Sequence, residues 1–499
     1  MKQSFGKDFL ASFVVFLVAL PLCLGVAIAS GMPPAAGLIT GIIGGLIVGA
    51  LSGSPLQVSG PAAGLVVLVF DLHKEHGFGA LALIVRIEGI IQNGYGLLKT
   101  GQWFRAISPA VVYGMLAGIG LLIVAAQFHV VVDDSPKGSG IKNLLSIPEA
   151  IFNGVFPLDG SPHEVAALIG LLTMATILLW NHFKPPILKF LPGPLMGLLA
   201  AALASYFYKL EIKHVNVPDN LLGDLSLAGI SDFSGLTHLK YWGEAAALAF
   251  IASAETLLSA AAVDRMAAAS GKHSLRTNYD RELFAQGIGN ILCGLLGALP
   301  MTGVIVRSSA NVQAGAQTRL SAILHGAWLL LTVAFFPHIL ERIPTSALAA
   351  VLVLTGWKLI SIEHMRKLRE YGWIPLTIYF STMLGIVAFD LLTGVLIGIA
   401  LTIIKMIYKA SRLELKLIPH VSGRCDLYLE GSATFFRLPL LADTLDRVPH
   451  ASTLHIHFEK LTYLDHSCLD LIREWSTSHQ DAGGSVQVDW PRLVERFTR

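Results

Sequence analysis

Apolar stretches of about 20 residues, the length that spans a bilayer as a helix, recur from Phe9 to about Ala410. They predict spans near 9–29, 34–52, 58–72, 77–95, 107–131, 164–181, 190–208, 242–262, 283–299, 303–317, 319–336, 344–363, 372–390 and 391–410, fourteen in all. Two of these are broken in the same way. Val58–Phe70 opens on Ser59-Gly60-Pro61-Ala62-Ala63-Gly64, and Gly297–Ala314 carries Pro300-Met301-Thr302-Gly303 ahead of Val304-Ile305-Val306-Arg307. Matching Pro/Gly breaks in two halves of a membrane protein point to a midplane transport site. Each break frees N–H groups at the start of a half-helix, whose positive end can hold an anion.

After Lys405, Lys409 and Arg412 the hydropathy falls and the period changes. Leu427–Glu430, Phe435-Phe436, Leu454–Phe458 and Ser485–Val488 read as short strands with helical stretches between them. Leu454-His455-Ile456-His457-Phe458 alternates strictly, which puts His455 and His457 on the outer face of a strand. The expected organisation is a transmembrane domain over 1–410 and a small α/β domain over 411–499.

Composition agrees with the pattern. Hydrophobic residues make up 54% of the 499 and charged residues only 14%, with a mean hydropathy of +0.63, so the expected fold class is an α-helical polytopic membrane protein. A net charge of +2 is too small to suggest nucleic acid as a partner. Charge matters through its placement. With the N-terminus cytoplasmic, the inside loops hold most of the Lys and Arg, among them Lys99, Arg105, Lys184, Lys189, Arg265 and Lys272, while the outside loops hold fewer, such as Lys74, Lys137 and Lys213. By the positive-inside rule both termini are expected in the cytoplasm, with the protein in the cytoplasmic membrane. The connections 132–163 and 209–241 are then external. Phe9–Ser30, flanked by Lys2 and Lys7, is read as a retained helix, because Pro21 interrupts it and another span follows directly. Cys23, Cys293, Cys425 and Cys468 have no spacing that suggests a metal or a disulfide frame. No nucleophile–base pair or phosphate loop is apparent, so neither an enzyme nor a cofactor is expected.

Single residues sharpen the picture. Glu255 lies in the otherwise apolar Ala245–Ala262, where an ionised, unpaired acid costs at least a few kcal/mol. It suits a carboxyl that binds and releases a proton, and the plainer reading pairs it with Arg307 or a backbone group. Arg307, about four residues past the expected half-helix start, either lends positive potential to the anion or makes a salt bridge or a snorkelling contact. Arg86 and Glu88, two apart, cannot share a helix face and read as separate anchors. Gly37, Gly41, Gly45 and Gly49 form a stripe that permits close helix approach, either as tight packing or as a sliding surface.

The run Asp280-Arg281-Glu282-Leu283-Phe284-Ala285-Gln286-Gly287-Ile288-Gly289-Asn290, then Gly294–Pro300 and Arg307-Ser308-Ser309-Ala310-Asn311, together with Ala19-Leu20-Pro21, resembles the SulP family of inorganic-anion transporters. The tail resembles the STAS domain that closes most members. The resemblance implies two inverted repeats of seven segments, a core that moves against a gate, and an anion held between half-helices in segments 3 and 10. It implies a site formed by backbone near Ser59, Ala62 and Ala63 on one side and Thr302, Gly303, Val304 and Ile305 on the other, with Leu22 and Val26 lining its wall and Arg307 nearby. Glu255 stands where sodium-coupled bicarbonate members carry Asp, with a Thr one turn later and a hydroxyl in segment 10. Here those partners are Ser259 and Ile305, so a proton is favoured over sodium as the coupling ion. Asp465-His466-Ser467 stands where related STAS domains carry a phosphorylatable residue, and a helix cap is the simpler reading.

The expected function is secondary active transport of a small inorganic anion, bicarbonate or sulfate, by an elevator-type movement coupled to a cation. A homodimer in the lipid bilayer is expected, with a cytoplasmic protein as a candidate partner of the tail. The alternatives are an uncoupled anion channel or exchanger, a nucleobase permease of the same architecture, and a membrane receptor or scaffold that works through its tail. A bulky side chain at Gly303 is expected to plug the site without unfolding the protein.

Overall fold

The computed structural model describes residues 2–104, 108–137, 139–156, 161–185, 188, 191–215, 238–270, 276–420 and 423–490. Arg105, Lys189 and Lys272, used above for orientation, and 216–237 of the second external connection lie outside the described residues. The chain divides into two compact units, Met1–Ile399 and Ala400–Arg499, so the division falls inside the last apolar helix.

The first unit is helical. Its principal helices are α1 (Lys2–Ala29), α2 (Pro34–Ile43, continued by a π turn over Gly44–Val48), α3 (Val66–Leu97), α4 (Pro109–Val131), α5 (Pro162–Phe183), α6 (Gly193–Tyr208), α7 (Leu239–Ala269), α8 (Tyr279–Leu295), α9 (Ile305–Gln313), α10 (Leu320–Phe335), α11 (Thr345–Leu359), α12 (Trp373–Ala388) and α13 (Leu391–Ala410). Seven helices among the described residues are long and apolar enough to cross a membrane, and three shorter apolar helices accompany them. Proline opens α2, α4 and α5, at positions where its missing N–H is not needed. Gly77, at φ 79°, breaks α3 where the sequence pattern separates two spans. The glycine stripe packs tightly. A Cβ at Gly37 would stand 2.0 Å from the Cys23 carbonyl oxygen, and one at Gly45 would stand 2.6 Å from the Cα of Gly326.

Two short strands interrupt this unit, β1 (Ser59–Pro61) and β2 (Met301–Gly303). They pair antiparallel, with Ser59 opposite Gly303, Gly60 opposite Thr302 and Pro61 opposite Met301. The two breaks read from the sequence are therefore one structure.

The second unit contains β3 (Leu413–Pro419), β4 (Arg424–Ala433), α14 (Leu438–Leu445), β5 (Thr453–His457), β6 (Leu461–Leu464), α15 (His466–Asp481) and β7 (Ser485–Gln487). The sheet runs β3-β4-β5-β7, with β6 also paired to β4. Leu427, Leu429, Leu454 and Ile456 on one face form a core with Leu441, Leu445, Leu469 and Ile472. Phe435 and Phe436, expected in a strand, instead form a single 3-10 turn leading into α14. Their exposed rings stack on each other at 4.1 Å, so neither alternates into a core. Asp465 caps α15 by accepting the Ser467 N–H at 3.0 Å.

Candidate functional site

The strand pair is held by side chains from three helices. Asn290 of α8 accepts the Met301 N–H at 2.7 Å through its Oδ1 and donates through Nδ2 to the Met301 carbonyl at 3.2 Å. Thr256 of α7 accepts the Gly303 N–H at 3.0 Å on its Oγ1, and the Thr256 carbonyl accepts from Gln57 Nε2 at 3.0 Å. Ser308 of α9 accepts the Val58 N–H at 2.9 Å, and Val304 N–H donates to the Val58 carbonyl. Gln286 of α8 donates to the Ser59 hydroxyl at 2.6 Å and to Glu282 at 3.0 Å. Glu282 in turn accepts from Ser52 Oγ at 2.6 Å and from the Ser54 N–H at 3.0 Å. Backbone polar groups that would otherwise be costly in this dry interior are thus paired.

From this brace two helix starts emerge. Ala63–Leu65 forms a 3-10 turn that runs into α3, and α9 begins at Ile305; no side chain caps either start. The strand extends through Gly303, so the helix begins later than the sequence suggested and Arg307 is its third residue rather than a turn inside it. Arg307 is fully buried. Its Nε, Nη1 and Nη2 find no hydrogen-bond partner among the described residues, and neither a salt bridge nor a snorkelling contact holds it. A Cβ at Gly60 would stand 2.1 Å from Nη1. The buried Cys23 thiol of α1 lies within reach of the same charge.

The other candidates divide clearly. Leu22 and Val26 are buried on α1, which packs against both β1 and α9. Ser59, Ala62, Thr302 and Val304 are buried at the crossing, while Ala63 and Ile305 are partly exposed. Glu255 of α7 faces the first helix start, and a Cβ at Gly64 would stand 2.7 Å from its Oε2. That oxygen is buried without a hydrogen-bond partner among the described residues, and none joins Glu255 to Ser259 or to Arg307. Gly303 lines no open space. A Cβ there would stand 1.4 Å from Gln57 Nε2, so a bulky residue must first displace the Gln57 side chain from the Thr256 carbonyl. Arg86 donates to the Gly294 carbonyl and Glu88 accepts from Asn290, which makes them separate anchors.

Sequence reasoning assigned no role to Gln57, Thr256, Glu282, Gln286 or Asn290. Glu282, Gln286 and Asn290 recur every four residues along α8 and so share one face, a signal that was readable. Nothing in the local pattern marked Gln57 or Thr256.

A helical bundle in which two interrupted segments meet through paired strands defines a membrane transporter fold. The chain belongs to the sulfate permease family, whose sequence model matches residues 5–382. It is 27% identical over 422 residues to YvdB of Bacillus subtilis, which carries a sulfate-transporter name, covering 82% of this chain and 75% of that protein. It is 25% identical over 433 residues to the bicarbonate transporter BicA of Synechocystis, covering 84% of this chain and 72% of that protein. Among solved structures it is similar to the murine Slc26a9 anion transporter in the inward-facing state, at a TM-score of 0.77 and 13% identity, over 97% of this chain and 85% of that one. It is an integral, multi-pass membrane protein.

Proposed function

We propose that this protein is a secondary active transporter of bicarbonate or sulfate, driven by a proton carried on Glu255. The observation that carries the reading is the guanidinium of Arg307, buried among the described residues with no carboxylate or carbonyl partner and only the Cys23 thiol beside it, where two uncapped helix starts meet. A buried cation left unpaired is costly, and a small oxyanion supplies the missing acceptors. Leu22 and Val26 keep the wall apolar and favour a small anion. Names borne by relatives include both sulfate and bicarbonate transporters.

In the cycle we infer, the anion accepts hydrogen bonds from Arg307 and from N–H groups near Ala63 and Ile305. Glu255, facing Gly64 at the other helix start, takes up a proton so that anion and carboxylate do not repel each other. The braced crossing then moves as one body against the rest of the helices. The second unit is proposed to be a STAS domain, cytoplasmic like both termini, and the working form a homodimer whose tail binds a cytoplasmic protein.

Uptake of labelled bicarbonate and of labelled sulfate into proteoliposomes, with and without an inward proton gradient and with and without sodium, tests the reading. Saturable uptake of one anion that rises with the proton gradient supports it. Dependence on sodium alone overturns the coupling, and currents that do not saturate and ignore the proton gradient overturn active transport.

A further inference from the structure

Glu75 and His76 close the first stretch of α3, just before the Gly77 break, and Lys240 and Glu244 stand in the opening turns of α7. The two helices pack against each other. Gly64 and Glu255 meet on this same pair, Gly64 lying 12 residues before His76 and Glu255 lying 11 after Glu244. Such intervals are about three helical turns, so the two meeting points share one interface, roughly 17 Å apart along it. Among the described residues, Glu75, His76 and Glu244 are the one group of three His, Cys, Asp or Glu side chains whose ligand atoms all lie within 4.8 Å of one another.

The separations suit a shared cation. His76 Nε2 lies 2.9 Å from Glu244 Oε1 and 3.9 Å from Glu75 Oε2. Ligands about 2.0–2.1 Å from a tetrahedral ion stand about 3.3 Å from one another, so the two distances bracket the edge of such a site. The Tyr241 ring meets His76 edge-on at 5.2 Å and sets its plane. His76 and Glu244 are largely enclosed, with side chains 10% and 19% exposed, whereas Glu75, at 58%, faces solvent and closes the open side. Glu244 Oε2 is buried without a hydrogen-bond partner among the described residues.

We infer that Glu75, His76 and Glu244 bind a divalent transition-metal ion of the zinc type, and that Lys240 is the tethered cation that the ion displaces. The Lys240 ammonium contacts Glu75 and lies 3.8 Å from Glu244 Oε1, beyond hydrogen-bonding distance. It brings one positive charge to two carboxylates, and a divalent ion brings two. An exposed lysine–glutamate pair contributes little stability, and the lysine side chain, 57% exposed, can swing into water. One imidazole and two carboxylates make a three-residue zinc site whose fourth position is left to water. The imidazole favours such an ion over Mg2+ or Ca2+, which take oxygen ligands. His76 Nε2 carries the hydrogen that Glu244 Oε1 accepts, and the ion takes that hydrogen's place. Glu244 Oε2 can then join Oε1 on the metal, and the end of the first stretch of α3 is tied to the start of α7.

The test uses the full-length protein in detergent without a histidine tag, stripped with a chelator and dialysed against Zn2+, with bound metal measured by elemental analysis. The expected result is one Zn2+ per chain, lost in His76→Gln and in Glu244→Gln. In Lys240→Met, where no ammonium competes, Zn2+ should bind about 2- to 5-fold more tightly. Co2+ replacing Zn2+ should give visible bands that vanish in His76→Gln and Glu244→Gln. Zn2+ should also raise the melting temperature of the wild type and leave that of these two variants unmoved, and circular dichroism checks that both stay folded. Undiminished Zn2+ in folded His76→Gln and Glu244→Gln proteins, no cobalt bands in the wild type, or binding in Lys240→Met no tighter than in the wild type overturns the proposal.

Discussion

The guanidinium of Arg307 lies over the Cα of Gly60, so close that a Cβ at residue 60 would stand 2.1 Å from Nη1. One residue of β1, from the first break, thereby positions the charge of α9, from the second. The proposed anion site therefore draws on both halves of the chain at once.

Gly60→Ala should therefore push the guanidinium aside while leaving the braced strands folded. Loss of one charge-assisted hydrogen bond, about 1.5–3 kcal/mol, corresponds to about 10- to 100-fold weaker anion binding. Concentration-dependent uptake in proteoliposomes should show a raised KM, with thermal stability in detergent little changed. Arg307→Gln should give a larger loss of uptake.

Glu255 is expected to separate driven transport from exchange. Glu255→Gln keeps the shape beside Gly64 but cannot cycle a proton, so accumulation driven by a proton gradient should disappear while anion-for-anion exchange continues. Unchanged accumulation in this variant would rule out Glu255 as the proton carrier.

Glu282 accepts from Ser52, the Ser54 N–H and Gln286 in a fully buried setting. Glu282→Ala leaves these donors without their acceptor, at about 1–3 kcal/mol for each left unsatisfied, and should lower the melting temperature along with transport. Glu282→Gln, which keeps an acceptor oxygen, should lose less of both.

In the second unit the Asp426 carboxylate accepts hydrogen bonds from Arg424 at 3.0 and 2.9 Å and lies 2.8 Å from His420 Nε2 and 3.2 Å from His457 Nε2, so the stability of that unit is expected to depend on acid. The carboxyl sits at about 2 in the folded protein against an ordinary value of 3.8, so its contribution is complete above about pH 4 and is lost as pH falls toward about 2. Asp426→Asn should therefore destabilise this unit at neutral pH, and the difference from wild type should shrink across that acid range when followed by the fluorescence of Trp475 and Trp490.

Much of the scaffold was legible in the chain. Runs of apolar residues long enough to cross a bilayer identify helices whatever surrounds them, because a helix satisfies its own backbone in lipid. The two Pro/Gly breaks marked where that could not hold. In the tail, the strict alternation of Leu454-His455-Ile456-His457 predicted the faces of β5, whereas Phe435-Phe436 was misread because adjacent exposed aromatics carry no period.

By itself, then, the sequence determined the membrane class, the positions of the breaks and the lone acid and base beside them, since these depend on local composition and spacing. Tertiary structure alone decided that β1 pairs with β2, that Thr256 and Gln57 fill the space around Gly303, and that Arg307 meets Gly60 rather than Glu255. Those relationships join residues from 47 to more than 200 positions apart, and no local pattern encodes which distant donor will answer a given backbone group once water is excluded.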